Sequence, residues 1–180
     1  MHGPFSGGLT GKYSFDEVPV IFNRKYFTRL FLYEHKESVI DTQTGEKVAG
    51  YNKDCDFCIG KTKRKEIHED QLGQFKKDSL TFEFTDNPEE GLLVSIGAAG
   101  KYAASKGVKS GDPAQKALKI YGKPKAMILD YGKDEEHRIH WVFYGLFYEN
   151  LAIFTDSAFT NVIGFTVGEG LDLKRRYIKK

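Results

Sequence analysis

The sequence predicts an α+β fold, a mostly antiparallel β-sheet with one helix packed on one face, and three observations support this prediction. Aromatic residues reach 14% of the chain, and their rings fit the pleated, half-buried surface of a sheet. The 19 glycines suit the many tight turns that short strands require. One segment, at about residues 112–121, combines helical periodicity with recognisable helix ends.

Short strands joined by polar turns are predicted in the first part of the chain. Residues 18–22 and 30–35 are candidates, and Ser38–Asp41 is expected to pair with residues 48–51 across the turn at 42–45. The pairing is expected because two apolar runs flank a short segment of turn-forming residues. We therefore expect a sheet that begins early in the sequence.

The chain is predicted to fold as a single domain over residues 1–180, since that length is ordinary for one core. Between residues 53 and 77 the composition becomes strongly polar, without a sustained period of either two or 3.6 residues. This segment is expected to be a long loop. A lobe boundary, if the chain has one, is predicted at about residues 60–78.

A hairpin is predicted after this polar segment. Leu80, Phe82 and Phe84 alternate with polar residues at the two-residue spacing of a half-buried strand. Residues 88–91 supply a turn, and residues 92–96 return. Further strands are predicted beyond the helix, at residues 126–131, 139–148, 151–154 and 162–167.

The predicted helix has a start, an apolar stripe and a stop. Asp112 is expected to cap its N-terminus, Pro113 suits the first helical position, and Gln115 is expected to complete a capping box. Gly122 and Pro124 then end it. The stripe follows helical spacing and comprises Ala114, Ala117, Leu118 and Tyr121.

Charge and hydropathy exclude several classes of partner. The formal net charge of +2 is too small to steer the molecule toward nucleic acid or an anionic membrane surface, so no nucleic-acid partner is predicted. The sequence has no run of 18 apolar residues, and no transmembrane segment is predicted. A protein partner is the expectation that remains.

The pair Cys55 and Cys58 is the one pattern with reactive potential, and three interpretations stay open. The first is a zinc site, completed by His35 and His68, although a usual zinc module supplies a second close pair of ligands. The second is a redox-active pair, for which the cations that follow would lower a thiol pKa. The third is a local disulfide between Cys55 and Cys58, or two unreactive thiols; a disulfide implies an extracytoplasmic location.

Other motifs do not meet the requirements of known chemistry. Residues 97–101 are similar to a phosphate-binding loop, but Ser95 replaces its first glycine and Tyr102 its magnesium-binding hydroxyl residue. His137 and His140 lie three apart in a predicted strand and should point to opposite faces. No common hydrolase or metalloprotease motif occurs, so we predict no catalytic residue and no cofactor.

A short pattern carries a family resemblance over residues 106–168. Residues 107–113 read Gly-Val-Lys-Ser-Gly-Asp-Pro, the predicted helix follows, and residues 121–124 read Tyr-Gly-Lys-Pro. The pattern resembles the signature of SmpA/OmlA-like and β-lactamase-inhibitor-protein-like bacterial modules, in which an aromatic strand follows, here with Trp141. The resemblance implies an extracytoplasmic α+β module, often on a lipoprotein, that contacts other proteins through its sheet or loops, and it implies no active-site residues.

These observations predict a non-catalytic binding or scaffolding module, the exported part of a bacterial protein or lipoprotein, in the periplasm or at the cell surface. Tyrosines expected on the sheet are the candidate contacts with a protein partner, because tyrosine buries a large area at small entropic cost. They are Tyr102, Tyr131, Tyr144 and Tyr148. The alternative is a metal- or thiol-dependent protein built on Cys55 and Cys58.

Overall fold

The computed structural model describes residues 35–133 and 135–168, with the backbone alone described for residues 128–133 and 139–142. The predicted strand at residues 18–22 and nearly all of that at 30–35 lie outside the described residues. Within them, ten strands and two helices follow in chain order: β1 (Ser38–Asp41), β2 (Lys47–Gly50), β3 (Phe57–Cys58), α1 (Glu69–Lys77), β4 (Leu80–Phe84), β5 (Leu93–Ala98), β6 (Tyr102–Ala104), α2 (Ala114–Tyr121), β7 (Ala126–Lys133), β8 (Ile139–Tyr148), β9 (Leu151–Asp156) and β10 (Val162–Gly168).

The strands form two sheets, and the fold belongs to the α+β class, as predicted. The smaller sheet has the order β3-β2-β1-β6, and the larger has the order β4-β5-β10-β9-β8-β7. All neighbouring strands are antiparallel except β2 and β3. The predicted pairing of residues 38–41 with 48–51 and the hairpin of residues 80–96 are both confirmed.

One main apolar core lies between the two sheets and α2. It contains Val39 of β1, Tyr102 of β6, Leu118 of α2 and Leu146 of β8, each nearly or completely buried. The opposite face of the larger sheet carries a second, smaller cluster, made of Ala126, Phe143, Phe147, Ala152 and Phe154. Strands β8 and β9 therefore contribute apolar side chains to both faces of the sheet.

Helix α2 forms where it was predicted, but its start is built differently. Pro113 occupies the N-cap position and makes no side-chain capping bond. The Asp112 carboxylate instead accepts hydrogen bonds from the Lys109 N–H and Lys116 Nζ, both at 3.0 Å. The expected capping box is absent in this described segment, since the buried Gln115 Oε1 has no hydrogen-bond partner there.

Helix α1 was not predicted, because residues 53–77 were expected to be a loop. The His68 N–H donates to Gln71 Oε1 at 3.2 Å, which satisfies one of the unpaired amides at the helix start. Acidic residues in the first turn and lysines in the last turn also stabilise the helix, because their charges oppose the partial charges of the helix dipole. No residue of α1 is fully buried, and its Phe75 packs edge-on against Phe57 and Phe82.

The glycine at position 50 is required where β2 turns beside β1. Its φ is +138°, and a Cβ there would lie 2.6 Å from Ser38 Cα and 2.7 Å from Glu37 O. Gly50→Ala is therefore expected to lower the free energy of unfolding by about 2 kcal/mol or more, because backbone strain and a clash with backbone atoms add. Urea unfolding measures this change.

Gly73→Ala in α1 is the matched control. A Cβ at position 73 meets no atom within 4 Å, and replacing a helical glycine by alanine stabilises a protein by about 0.5–1 kcal/mol. Equal unfolding free energies for the two variants would contradict the close approach at Gly50.

Candidate functional site

Polar side chains meet at the edge of the main core, where the start of β1 approaches α2 and the end of β8. We call this set the buried polar cluster, and it comprises His35, Glu37, Ser105, Tyr121 and Tyr148. Ser105 is its one exposed member. His35 and Glu37 are only 4% and 2% exposed. Buried polar groups are costly unless they are hydrogen-bonded, so their partners decide what the cluster does.

The Glu37 carboxylate holds the turn after β6 against β1. Its Oε2 accepts hydrogen bonds from Ser105 Oγ at 2.5 Å and from the Lys106 N–H at 3.1 Å. Ser105 Oγ in turn accepts a hydrogen bond from the Ser38 N–H at 3.1 Å. These contacts join segments more than 65 residues apart in sequence, so they fix tertiary structure.

Three rings pack together beside this carboxylate. His35 lies edge-on to Tyr121 and to Tyr148, with centroid distances of 5.1 and 5.3 Å. The Tyr148 hydroxyl donates to Gly122 O at 2.7 Å, which secures the C-terminal end of α2. The buried Tyr121 hydroxyl has no hydrogen-bond partner among the described residues.

The pKa of Tyr121 is raised far above its ordinary value. Burial is the largest cause, and the nearby negative charge of Glu37 adds to it. Tyr121 therefore stays a neutral phenol at physiological pH and cannot serve as a general base there. The contacts of the cluster link distant segments of the fold.

Cys55 and Cys58 lie at β3, and both are free thiols in this structure. The Cys55 Sγ is 3.5 Å from Ser38 Oγ, and the Cys58 Sγ is 3.4 Å from the Cys55 carbonyl oxygen. Burial raises the pKa of the Cys55 thiol, which disfavours the thiolate that nucleophilic or metal chemistry needs. The predicted disulfide between the two stays a prediction.

Of the four zinc candidates, only Cys55 and Cys58 lie together, and the two histidines lie elsewhere in the fold. His35 packs on tyrosines in the buried polar cluster, whereas His68 precedes α1 and lines an open pocket of about 280 Å³. Among the side chains that the structure describes, no group of three or more from His, Cys, Asp or Glu could hold a metal ion. The residues present therefore do not assemble the set that a zinc site requires.

Three of the cations that follow Cys58 form ion pairs with carboxylates. Lys63 and Lys65 both bind Glu90, at 2.6 and 2.5 Å, and they hold the pKa of Glu90 at about 2. Arg64 pairs with Glu69 at 2.5 Å. Arg64 and Lys65 line the open pocket beside His68, and both of these cations are therefore paired with carboxylates.

Three of the four candidate tyrosines are buried, which corrects their expected place on the surface. Tyr102, Tyr144 and Tyr148 are 2%, 6% and 3% exposed, and all three belong to the main core. Each of these tyrosines lies on the face of its strand that packs into the main core. Tyr131 lies in β7, where the backbone alone is described.

The hairpin that contains Tyr131 extends past its neighbouring strand. In the described structure β9 pairs with β8 from Phe143 to Tyr148, whereas β7 pairs with β8 as far as Ile139. Residues 131–133 and 139–142 thus form a two-stranded extension, here called the β7–β8 ribbon. Its register shifts between Gly132 and Lys133, as in a β-bulge.

Comparisons with known proteins add nothing to this geometry: no protein-family model, curated protein or solved structure matches the chain.

Neither described helix has the length and apolar composition that crossing a membrane requires. The sequence singled out His35, but only as a candidate zinc ligand in one of three open interpretations. It missed Glu37 and Ser105, because neither lies in a local motif.

Two Tyr→Phe substitutions test how the buried polar cluster is satisfied. Tyr148→Phe leaves the Gly122 carbonyl without its donor and is expected to lower the free energy of unfolding by about 1–2 kcal/mol. Tyr121→Phe removes a buried hydroxyl that has no hydrogen-bond partner among the described residues, so its unfolding free energy should stay within about 0.5 kcal/mol of wild type or rise. Chemical denaturation of both variants measures the difference. A larger loss for Tyr121→Phe would contradict this assignment.

Proposed function

We propose that this chain is a non-catalytic binding module that contacts a protein partner through the β7–β8 ribbon. The observation that carries the proposal is the length of β7 and β8 beyond β9. Among the described residues, this part of β8 pairs with β7 alone, and a ribbon without further neighbours presents backbone groups to another molecule. The exported location and the bacterial lipoprotein context stay predictions.

The position of β7 in the sheet supports this proposal. β7 is the last strand of the larger sheet, and among the described residues it pairs with β8 alone. An edge strand presents a row of backbone donors and acceptors that can pair with an extended segment of a partner. Eight residues give this edge enough length for several such bonds.

The residue types of the ribbon also favour an interface. The sequence places Tyr131 in β7 and Trp141 in β8, and aromatic residues are enriched at protein interfaces. The turn that joins the strands includes exposed residues Glu135, Glu136, His137 and Arg138, with an ion pair of 3.0 Å between Arg138 and Glu136. A polar rim beside aromatic residues is a common arrangement in transient complexes.

The thiol- or metal-dependent alternative has less support. The Cys55 thiol is buried beside Ser38, with its pKa raised by that burial. The histidines proposed as its co-ligands lie in the buried polar cluster and at the start of α1. Catalysis by a thiolate would need the opposite environment, exposed and electropositive.

Site-specific photo-crosslinking tests the ribbon as the contact surface. A photo-reactive phenylalanine analogue replaces Tyr131 in one variant of the full chain and Trp141 in another, and each is irradiated in extract of the native cells. We expect both variants to give the same crosslinked protein species, because the two positions lie in neighbouring cross-strand pairs of the ribbon, Tyr131 opposite Val142 and Trp141 opposite Gly132.

The matched control carries the analogue at Thr44, an exposed turn residue between β1 and β2. We expect no corresponding species from this variant. The same crosslinked species from position 44, or none from either ribbon position, would refute the proposed surface. Urea unfolding of all three variants confirms that each is folded.

A further inference from the structure

We propose that Cys55 and Cys58 form an oxidisable dithiol, whose closure into a disulfide releases Cys55 from Ser38 and loosens the start of β1. This inference is independent of the proposed function, because it concerns the smaller sheet and needs no binding partner. It assigns a modification site and the class of oxidant that would act there, a low-molecular-weight disulfide.

Cys55 ends the turn that begins at Asn52, and Cys58 lies three residues further on, in β3. The Cys55 N–H donates to Asn52 O at 3.2 Å, and the Cys58 Sγ lies 3.6 Å from that same oxygen. The Cys58 Sγ is also 3.4 Å from the carbonyl oxygen of Cys55. The chain thus folds back so that the Cys58 sulfur rests against the Cys55 backbone.

The backbone around the pair is fixed on both sides. The Cys58 N–H donates to Thr62 Oγ1 at 2.8 Å, and the Asp56 N–H donates to Lys47 O at 3.1 Å. Closure therefore relies on side-chain rotation. The Cys55 side chain must turn away from Ser38, whose Oγ it contacts at 3.5 Å.

The two thiols differ in access, and this difference sets the order of the reaction. Cys55 is 8% exposed, whereas Cys58 is only half-buried. Burial also raises the pKa of Cys55, which lowers its thiolate fraction. Cys58 is therefore the thiol that an external oxidant reaches first, and Cys55 is the thiol that resolves the intermediate.

The chemistry balances as thiol–disulfide exchange. The Cys58 thiol loses its proton, and its sulfur attacks one sulfur of the oxidant, so that the oxidant's S–S bond breaks and one thiol leaves with a proton. Cys55 then loses its proton and attacks the Cys58 Sγ, which releases the second thiol. The protein dithiol loses two electrons, and the oxidant gains them as it becomes two thiols.

Closure would alter β1 through Ser38. The Ser38 N–H is bonded to Ser105 Oγ, which donates to Glu37 in the buried polar cluster. Loss of the Cys55 contact removes one of the side-chain interactions that hold Ser38 in place. We expect faster hydrogen exchange of the β1 amides in the oxidised protein than in the reduced protein.

The experiment incubates the full chain with oxidised glutathione and follows it by intact mass after rapid acid quenching. Wild type is expected to lose two hydrogens, with little accumulated glutathione adduct. Cys55→Ser should accumulate a stable adduct on Cys58, because its resolving thiol is gone. Cys58→Ser should be modified at Cys55 about tenfold more slowly, or not at all.

Hydrogen exchange of the β1 amides is then compared between oxidised and reduced wild type. Reduced Ser38→Ala is the matched variant, because it removes the same contact between Cys55 and Ser38 without a disulfide. The inference is overturned if wild type accumulates the adduct without closing, if Cys55 reacts as fast as Cys58, or if closure leaves β1 exchange unchanged. Unfolding in urea confirms that each variant is folded.

Discussion

Burial of apolar side chains between the two sheets and α2 is the interaction on which this fold depends. Within the described residues no strand of one sheet pairs with a strand of the other, so the core residues between them carry most of their association. Fully burying one Leu, Ile or Phe side chain contributes about 1.5–3 kcal/mol, and the main core contains many of them. A typical hydrogen bond contributes only about 0.5–1.5 kcal/mol net. Packing therefore dominates stability, and polar contacts decide how the layers are aligned.

The buried polar cluster supplies that alignment at one edge of the core. The hydrophobic effect has no preferred direction, whereas a buried carboxylate is tolerated only when its donors are correctly placed. Glu37 has two such donors in the turn after β6, and the Tyr148 hydroxyl fixes the end of α2. Together they set where β1, α2 and β8 meet. The Tyr121 hydroxyl is the exception, since it is buried there without a bond among the described residues.

The parts of the fold that the sequence predicted are those whose signals are local. The hairpin of residues 80–96 has alternation and a turn in one short stretch, and α2 has Gly122 as its stop. Helix α1 was missed because its apolar contacts are those of Phe75 with Phe57 and Phe82, which both lie outside the helix. Such contacts leave no apolar stripe within the helical segment itself.

The candidate site was harder to predict, because its residues meet only in the folded chain. Ser105 and Glu37 lie 68 residues apart, so no window of sequence reveals their bond. Tyr144 and Tyr148 were expected on a surface, since alternation shows that a strand has two faces but not which is covered. In β8 both faces carry buried aromatic residues. The Cys55–Cys58 spacing was visible, but the Ser38 contact that gives Cys55 its environment was not.

The anchoring of β8 bears on the binding surface proposed for the β7–β8 ribbon. The Lys125 N–H donates to Phe147 O at 2.7 Å, and the Tyr148 hydroxyl bonds to Gly122, so the base of the hairpin is held by the end of α2. β9 supports β8 as far as Phe143. A strand edge fixed at its base loses less conformational entropy on association than a free loop would, and this lowers the cost of binding. The same core that holds the two sheets together therefore also positions the ribbon.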